Sequence, residues 1–215
     1  MLFLVWILCS SILCLMICMP LYMNYKKAMQ PVLACSFKAL GTVCALVLVL
    51  VAALKLDSRC WVAVAGMSLH LLADILMEFN FSAGAGFFMA GHFLYIVFFA
   101  RLFPFTPLHL ICFILLFLFS LFLLLQWKRR AGKQLPLFIL YSVVICAMTA
   151  SALAGGFSAY TTSGILMALG GSLFLISDIL LIRSLLFRSP RALYWAVMTT
   201  YYLSQLLLGA ACILL

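Results

Sequence analysis

Two aspartates, Asp74 and Asp178, stand inside long apolar runs of a chain that has only four acidic residues among its 215. A carboxylate at the middle of a membrane-spanning helix costs about 2.5–3.5 kcal/mol on insertion scales, so each needs partners or water, and a reason to be there. Two carboxyls in one desolvated pocket can share a single proton, one serving as acid while the other stays ionised. Such a pair suits acid-catalysed cleavage through an oxocarbenium-like cation, as in paired-carboxylate glycosidases. The structural alternative is ion pairing that only holds helices together, Asp178 with Arg183 or Asp74 with Lys38.

Other polar side chains fall in the same apolar runs. His70, Asp74 and Glu78 follow one another at single-turn spacing along one helical stripe. The stripe could be drawn as a metal ladder, yet no second cluster of His or Cys completes a coordination shell, so no metal and no cofactor is expected. His92 and Tyr95 share a helical face, as do Tyr201, Tyr202 and Gln205, and Lys38 has no acidic neighbour in sequence. Taken singly, these read as interfacial tyrosines, a helix-to-helix hydrogen bond and a snorkelling lysine. Together they suit one internal pocket. His109, at the head of an apolar run, is expected at the membrane interface. The chain has no G-x-S-x-G elbow, Walker loop, H-E-x-x-H or strand-bound G-x-G-x-x-G, which leaves serine hydrolysis and nucleotide-driven transport without a basis.

The elements that must position these residues are transmembrane helices. The sequence is 69% hydrophobic and 8% charged, far from the roughly 25% charge of a soluble domain. Apolar runs of about the 20 residues needed to cross a bilayer fill nearly all of it. Eight spans are expected near 2–22, 31–54, 60–79, 86–103, 107–127, 135–154, 163–187 and 192–214, forming one all-α polytopic membrane domain over 1–215. Pro, Gly and charged residues mark the joints: Lys26, Lys27 and Pro31; Asp57 and Ser58; Phe81 to Gly86; Pro104 and Pro107; Trp127 to Pro136; Gly155 and Gly156; Arg188, Pro190 and Arg191. The first run lacks the basic opening of a signal peptide and is expected to be a span.

Nine Lys or Arg fall in the joints after odd-numbered spans, and three fall in the others. The positive-inside rule therefore predicts odd joints in the cytoplasm and both termini away from it. The net charge of +9 reads as topology signal and lipid head-group contact, with no nucleic-acid partner expected. Nine cysteines, an odd number with no C-x-x-C pair, make no complete disulfide framework and read mostly as small core residues. Residues 68–79, SLHLLADILMEF, echo residues 172–183, SLFLISDILLIR, in register. Either a four-helix unit is duplicated, with a pseudo-two-fold axis along the membrane normal, or Leu-rich helices match by chance.

The segments LHLLADILME, FSAGAGFFMAGHFLYIVFF, GGSLFLISDILL and MTTYYLSQLLL resemble, in order and spacing, the YhhN family of membrane proteins, whose animal members include lysoplasmalogenase. The resemblance runs over about residues 35–210 and rests on Asp74, Gly91-His92 with Tyr95, Ser177-Asp178, and Tyr201-Tyr202 with Gln205, with a weaker match at Lys38. The chain departs from the family pattern at Ala39, His70, Ala73, Glu78 and Arg183. The resemblance implies an eight-helix bundle that hydrolyses the vinyl ether bond of lysoplasmalogen to a fatty aldehyde and a glycerophospho-base. It also implies a vinyl ether lysophospholipid as substrate, membrane lipids as surroundings, and a home in the endoplasmic reticulum of a eukaryote or the cytoplasmic membrane of a bacterium.

Vinyl ethers break when a proton reaches the carbon remote from oxygen, water adds to the resulting cation and the hemiacetal falls apart. One of Asp74 and Asp178 is expected to supply the proton while the other stabilises the cation and draws a proton from water. Lys38, His92, Tyr95, Tyr201, Tyr202 and Gln205 are expected to support the carboxyls, place water or hold the head group, Lys38 as a point charge for phosphate. A secondary transporter or proton-coupled carrier is the main competing function, since midplane carboxylates in duplicated halves also build carriers. A noncatalytic lipid-binding scaffold is the third.

Overall fold

The computed structural model describes residues 2–215. The first helix, α1, runs through Leu2–Ile12, Leu13–Cys18 and Met19–Lys27 without a break, its middle segment wound in wider π turns. Pro20, which has no N–H to donate, stands just after the wide turns. Then follow α2 (Pro31–Lys55), α3 (Cys60–Met77), α4 (Phe81–Leu102), α5 (Pro107–Ala131), α6 (Leu135–Ala159), α7 (Thr162–Leu186) and α8 (Arg191–Ile213). No strand occurs among the described residues.

Seven helical stretches are long and apolar enough to cross a membrane. One of them, Pro107–Ala159, has 53 residues, about 80 Å at 1.5 Å per residue and far more than the hydrocarbon thickness of roughly 30 Å. It folds back at Gly132, whose φ of +52° favours glycine, and α5 and α6 pack on each other. The protein is a multi-pass, all-α membrane protein, and its outward side chains are apolar, as on α5 at Leu115, Phe119 and Phe122.

Several joints lie elsewhere than the sequence predicts. FSAGAG, expected as a joint, opens α4, because the Asn80 side chain caps the helix by accepting from the Ala83 N–H at 3.1 Å. Gly155 and Gly156 continue α6 instead of ending it. A Cβ on Gly156 would strike the Gly164 backbone, so glycine here allows α6 and α7 to approach closely. Tyr160, at φ 49°, ends the helix. Beyond their apolar cores, α1 extends to Lys27 and α5 to Ala131. All the cysteines are free, and all but Cys9 and Cys112 are buried.

The packing repeats itself. Within the first half α1 lies on α2, α2 on α3 and α3 on α4; within the second, α5 lies on α6, α6 on α7 and α7 on α8. Across the halves α2 packs on α8, and α4 packs on α6. Exchanging α1–α4 with α5–α8 turns each of these contacts into its counterpart. Asp74 on α3 and Asp178 on α7 thus occupy matching places, each flanked by the preceding helix of its own half and the last helix of the other.

Candidate active site

Asp74 sits near the end of α3 and is fully buried. On α2, Lys38 and Thr42 stand one turn apart, and both face it. The Lys38 Nζ lies 3.3 Å from Asp74 Oδ1, and the Thr42 hydroxyl donates to Oδ2. From α8 the Tyr201 hydroxyl donates to the same Oδ2 at 2.6 Å. The close approach of α2 and α8 makes this reach possible. Gly41 lies flat against the Tyr202 ring, which a Cβ would overlap, and the Tyr202 hydroxyl donates to the Lys38 carbonyl at 3.0 Å.

Asp178 has the corresponding neighbours in a different chemical form. From α6 the Tyr141 hydroxyl donates to Asp178 Oδ2 at 2.6 Å. From α4, His92 Nε2 lies 3.1 Å from the Tyr141 oxygen and 3.7 Å from Asp178 Oδ2. The phenol has one hydrogen and gives it to the carboxyl, so the His92–Tyr141 bond requires an Nε2–H on the imidazole. No Lys or Arg lies within ion-pair reach of Asp178 among the described residues. Ser177, just before it, donates to the Val197 carbonyl at 3.0 Å and ties α7 to α8. Arg183 lies over the Phe187 ring, 6.0 Å from its centroid, and not beside Asp178.

Both aspartates line one cavity of about 190 Å³, together with Lys38, Tyr201, Phe88 and Glu78. Asp74 is sealed at 0% exposure, while Asp178 keeps 7%. Phe174 packs edge-on to Phe88 and Tyr201 and is itself fully buried, so aromatic rings close the deep end. At the other end Glu78 accepts from Tyr22 at 3.1 Å and from Lys26 at 2.6 Å, with the Lys38 ammonium 3.7 Å away. Beyond this mouth a second space of about 570 Å³ opens, and Tyr22, Lys26, Leu181, Leu185, Val197 and Met198 line both.

Of the residues singled out in the sequence, Asp74, Asp178, Lys38 and Tyr201 meet at the cavity, and His92 stands behind Asp178. Tyr202 acts on the Lys38 backbone and does not line the cavity. Tyr95 is buried on α4 with its hydroxyl 3.9 Å from the Met67 sulfur. Gln205 is fully buried on α8, and its amide has no hydrogen-bond partner among the described residues. Lys38 is occupied by Asp74 and Glu78, which removes it from the role of a free phosphate ligand. The His70–Asp74–Glu78 stripe does not converge: His70 is enclosed by Phe88, His92, Tyr95 and Phe174, and Glu78 turns to Lys26. His109 caps the start of α5, its Nδ1 accepting from the Thr106 N–H at 3.1 Å.

Sequence reasoning missed Thr42, Tyr141, Tyr22 and Lys26. Thr42 had a signal, since it lies one turn from Lys38 on the same face. Tyr141 had one only through the repeat, which makes α6 the counterpart of α2.

The YhhN family model matches residues 33–212. The chain belongs to the YhhN family. No curated protein and no solved structure matches it. Both aspartates, Lys38, Thr42, His92, Tyr141 and Tyr201 lie within the YhhN match. The α1 residues at the cavity mouth, Tyr22 and Lys26, precede it.

Proposed function

We propose that this YhhN protein is a hydrolase that cleaves the vinyl ether bond of lysoplasmalogen. The observation that carries this reading is the pair of chemically distinct carboxyls on one small, aromatic-floored cavity. Asp74, held by an ammonium and two hydroxyls, is the carboxylate. Asp178, without a cation and open to the cavity, is the proton donor. This assignment follows from charge pairing: the Lys38 ammonium lies 3.3 Å from Asp74 and favours its charged form, and no Lys or Arg stands beside Asp178 among the described residues.

In the reaction Asp178 gives its proton to the alkenyl carbon remote from oxygen. The neighbouring carbon becomes an oxocarbenium ion, which the Asp74 carboxylate, on the same cavity, stabilises. Water adds to that carbon and loses a proton to a carboxylate. The hemiacetal then breaks its bond to the glycerol oxygen, which takes a proton from a carboxyl while the hemiacetal hydroxyl gives one up to a carboxylate, releasing aldehyde and glycerophospho-base. The Tyr141 hydroxyl, backed by His92, steadies the charge left on Asp178.

Purified protein supplied with lysoplasmalogen and with an ester-linked lysolipid tests the reading. Fatty aldehyde is expected from the first alone, and Asp74→Asn and Asp178→Asn should each lower its release at least about a hundredfold, the scale of losing a general acid or base. Near-normal release from either inserted variant would rule the mechanism out. Substrate flux into proteoliposomes with no aldehyde formed would favour a carrier.

A further inference from the structure

We infer that the 570 Å³ space outside the catalytic cavity is a phosphate-binding site for a single-chain lipid, with Lys27 and Arg191 as its ligands. This deepens the hydrolase reading, because it names the feature that sets which vinyl ethers reach the carboxyls. Lys27 comes from the end of α1 and Arg191 from the start of α8, and no acidic residue lines the space they share. Neither has an ion-pair partner among the described residues. Lys26, by contrast, is taken by Glu78 at 2.6 Å and marks the passage inward.

Two unpaired cations at the rim of an apolar bundle select an anion, and a hydroxyl beside them favours one with several acceptor oxygens. Tyr194 supplies that hydroxyl, whereas Ser184 and Ser189 line the space but give theirs to the Leu181 and Phe187 carbonyls at 2.7 and 3.0 Å. The first turn of the 23-residue α8 opens on the same space, and Pro190 at its N-cap offers no side chain to its N–H groups, which adds the positive end of a helix dipole. The inner wall is apolar, with Leu181, Leu185, Val197 and Met198 continuing into the catalytic cavity. A phosphate held at the rim therefore directs the attached glycerol and its ether inward. A neutral alkenylglycerol has nothing to hold there.

The test is binding, measured on the full chain in neutral maltoside micelles. The probes are a saturated 1-O-alkyl lysophosphocholine, which has no vinyl ether to cleave, and the matching phosphate-free 1-O-alkylglycerol. The wild type is expected to bind the phospholipid at least about tenfold more tightly, the scale of a charge-assisted hydrogen bond. Lys27→Gln/Arg191→Gln should erase that preference, and each single variant should remove part of it, so the test survives if the double variant does not fold. Equal affinity for the two probes in the wild type, or a preference intact in the variants, overturns the site. The same titration in nanodiscs of diacyl phosphatidylcholine separates a substrate site from general head-group contact. A preference that persists there supports the proposal, and one that bulk lipid abolishes overturns it. Because the probe is not turned over, the result stands whether or not aldehyde release is found.

Discussion

Asp74 and Asp178 occupy the same place in two halves of one bundle, yet the halves have equipped them differently. From the preceding helix Asp74 receives an ammonium and a hydroxyl, Lys38 and Thr42; Asp178 receives only the Tyr141 phenol. From the last helix of the other half come Tyr201 in one case and His92 in the other. Repetition of the scaffold brings two carboxyls to one cavity, and divergence of their neighbours gives them different surroundings. A symmetric pair would offer two equal sites, and the proposed division between acid and base would have no basis.

Removing the cation is the strongest way to break this contrast. Lys38→Met leaves a fully buried Asp74 uncompensated and should cost about 3–5 kcal/mol of stability, as when one partner of a buried ion pair is deleted. Adding Asp74→Asn should recover most of that loss. Asp178→Asn, which keeps an oxygen for the Tyr141 hydroxyl and has no cation to abandon, should change stability by no more than about 1 kcal/mol. Reversible unfolding in detergent micelles checks all three. Equal costs for Lys38→Met and Asp178→Asn would mean that the two environments do not differ in charge.

The tyrosines sharpen the same point on a smaller scale. If Asp74 is the carboxylate and Asp178 the protonated carboxyl, as proposed, Tyr201→Phe should cost about 1.5–3 kcal/mol and Tyr141→Phe about 0.5–1.5 kcal/mol. The reverse order would exchange the two roles. The smallest effect is expected far from the cavity, in the joint between α2 and α3. There Asp57 accepts from Arg59 Nη2 at 2.6 Å, and this hydrogen bond, against a small opposing effect of burial, holds its carboxyl below the ordinary aspartate range. A lowered folded-state value stabilises the fold at neutral pH and ceases to do so as pH falls through it. With Arg59 half exposed, Asp57→Asn should cost less than about 1 kcal/mol at pH 7 and nothing in strong acid, read from unfolding as a function of pH.

Much of the fold was legible because a bilayer penalises unpaired backbone and charge so heavily that spans, joints and misplaced carboxylates stand out in one dimension. FSAGAG and Gly155-Gly156 misled for a related reason. Small residues look like joints in sequence, but between membrane helices they permit close packing, and only the neighbouring Gly164 or the Asn80 cap reveals which use applies. In the site, the ionisable residues Asp74, Asp178 and Lys38 were visible as anomalies in apolar runs. Thr42 and Tyr141 were not, since a hydroxyl costs little in a helix that can bond it internally. Tyr95 and Gln205 shared faces with site residues yet point into the packed interior, because a helical face says which residues travel together and not which neighbour they meet.

By itself, then, the sequence determined the all-α, multi-pass class of the protein and the presence of two costly carboxyls, because hydrophobic length and the penalty for buried charge are local properties of a chain. Tertiary structure decided that both carboxyls line one cavity, that the ammonium faces Asp74 and not Asp178, and that α1, α7 and α8 border the cationic space outside. Those outcomes depend on which helices approach closely enough to touch, and contact between residues more than a hundred positions apart is set by packing.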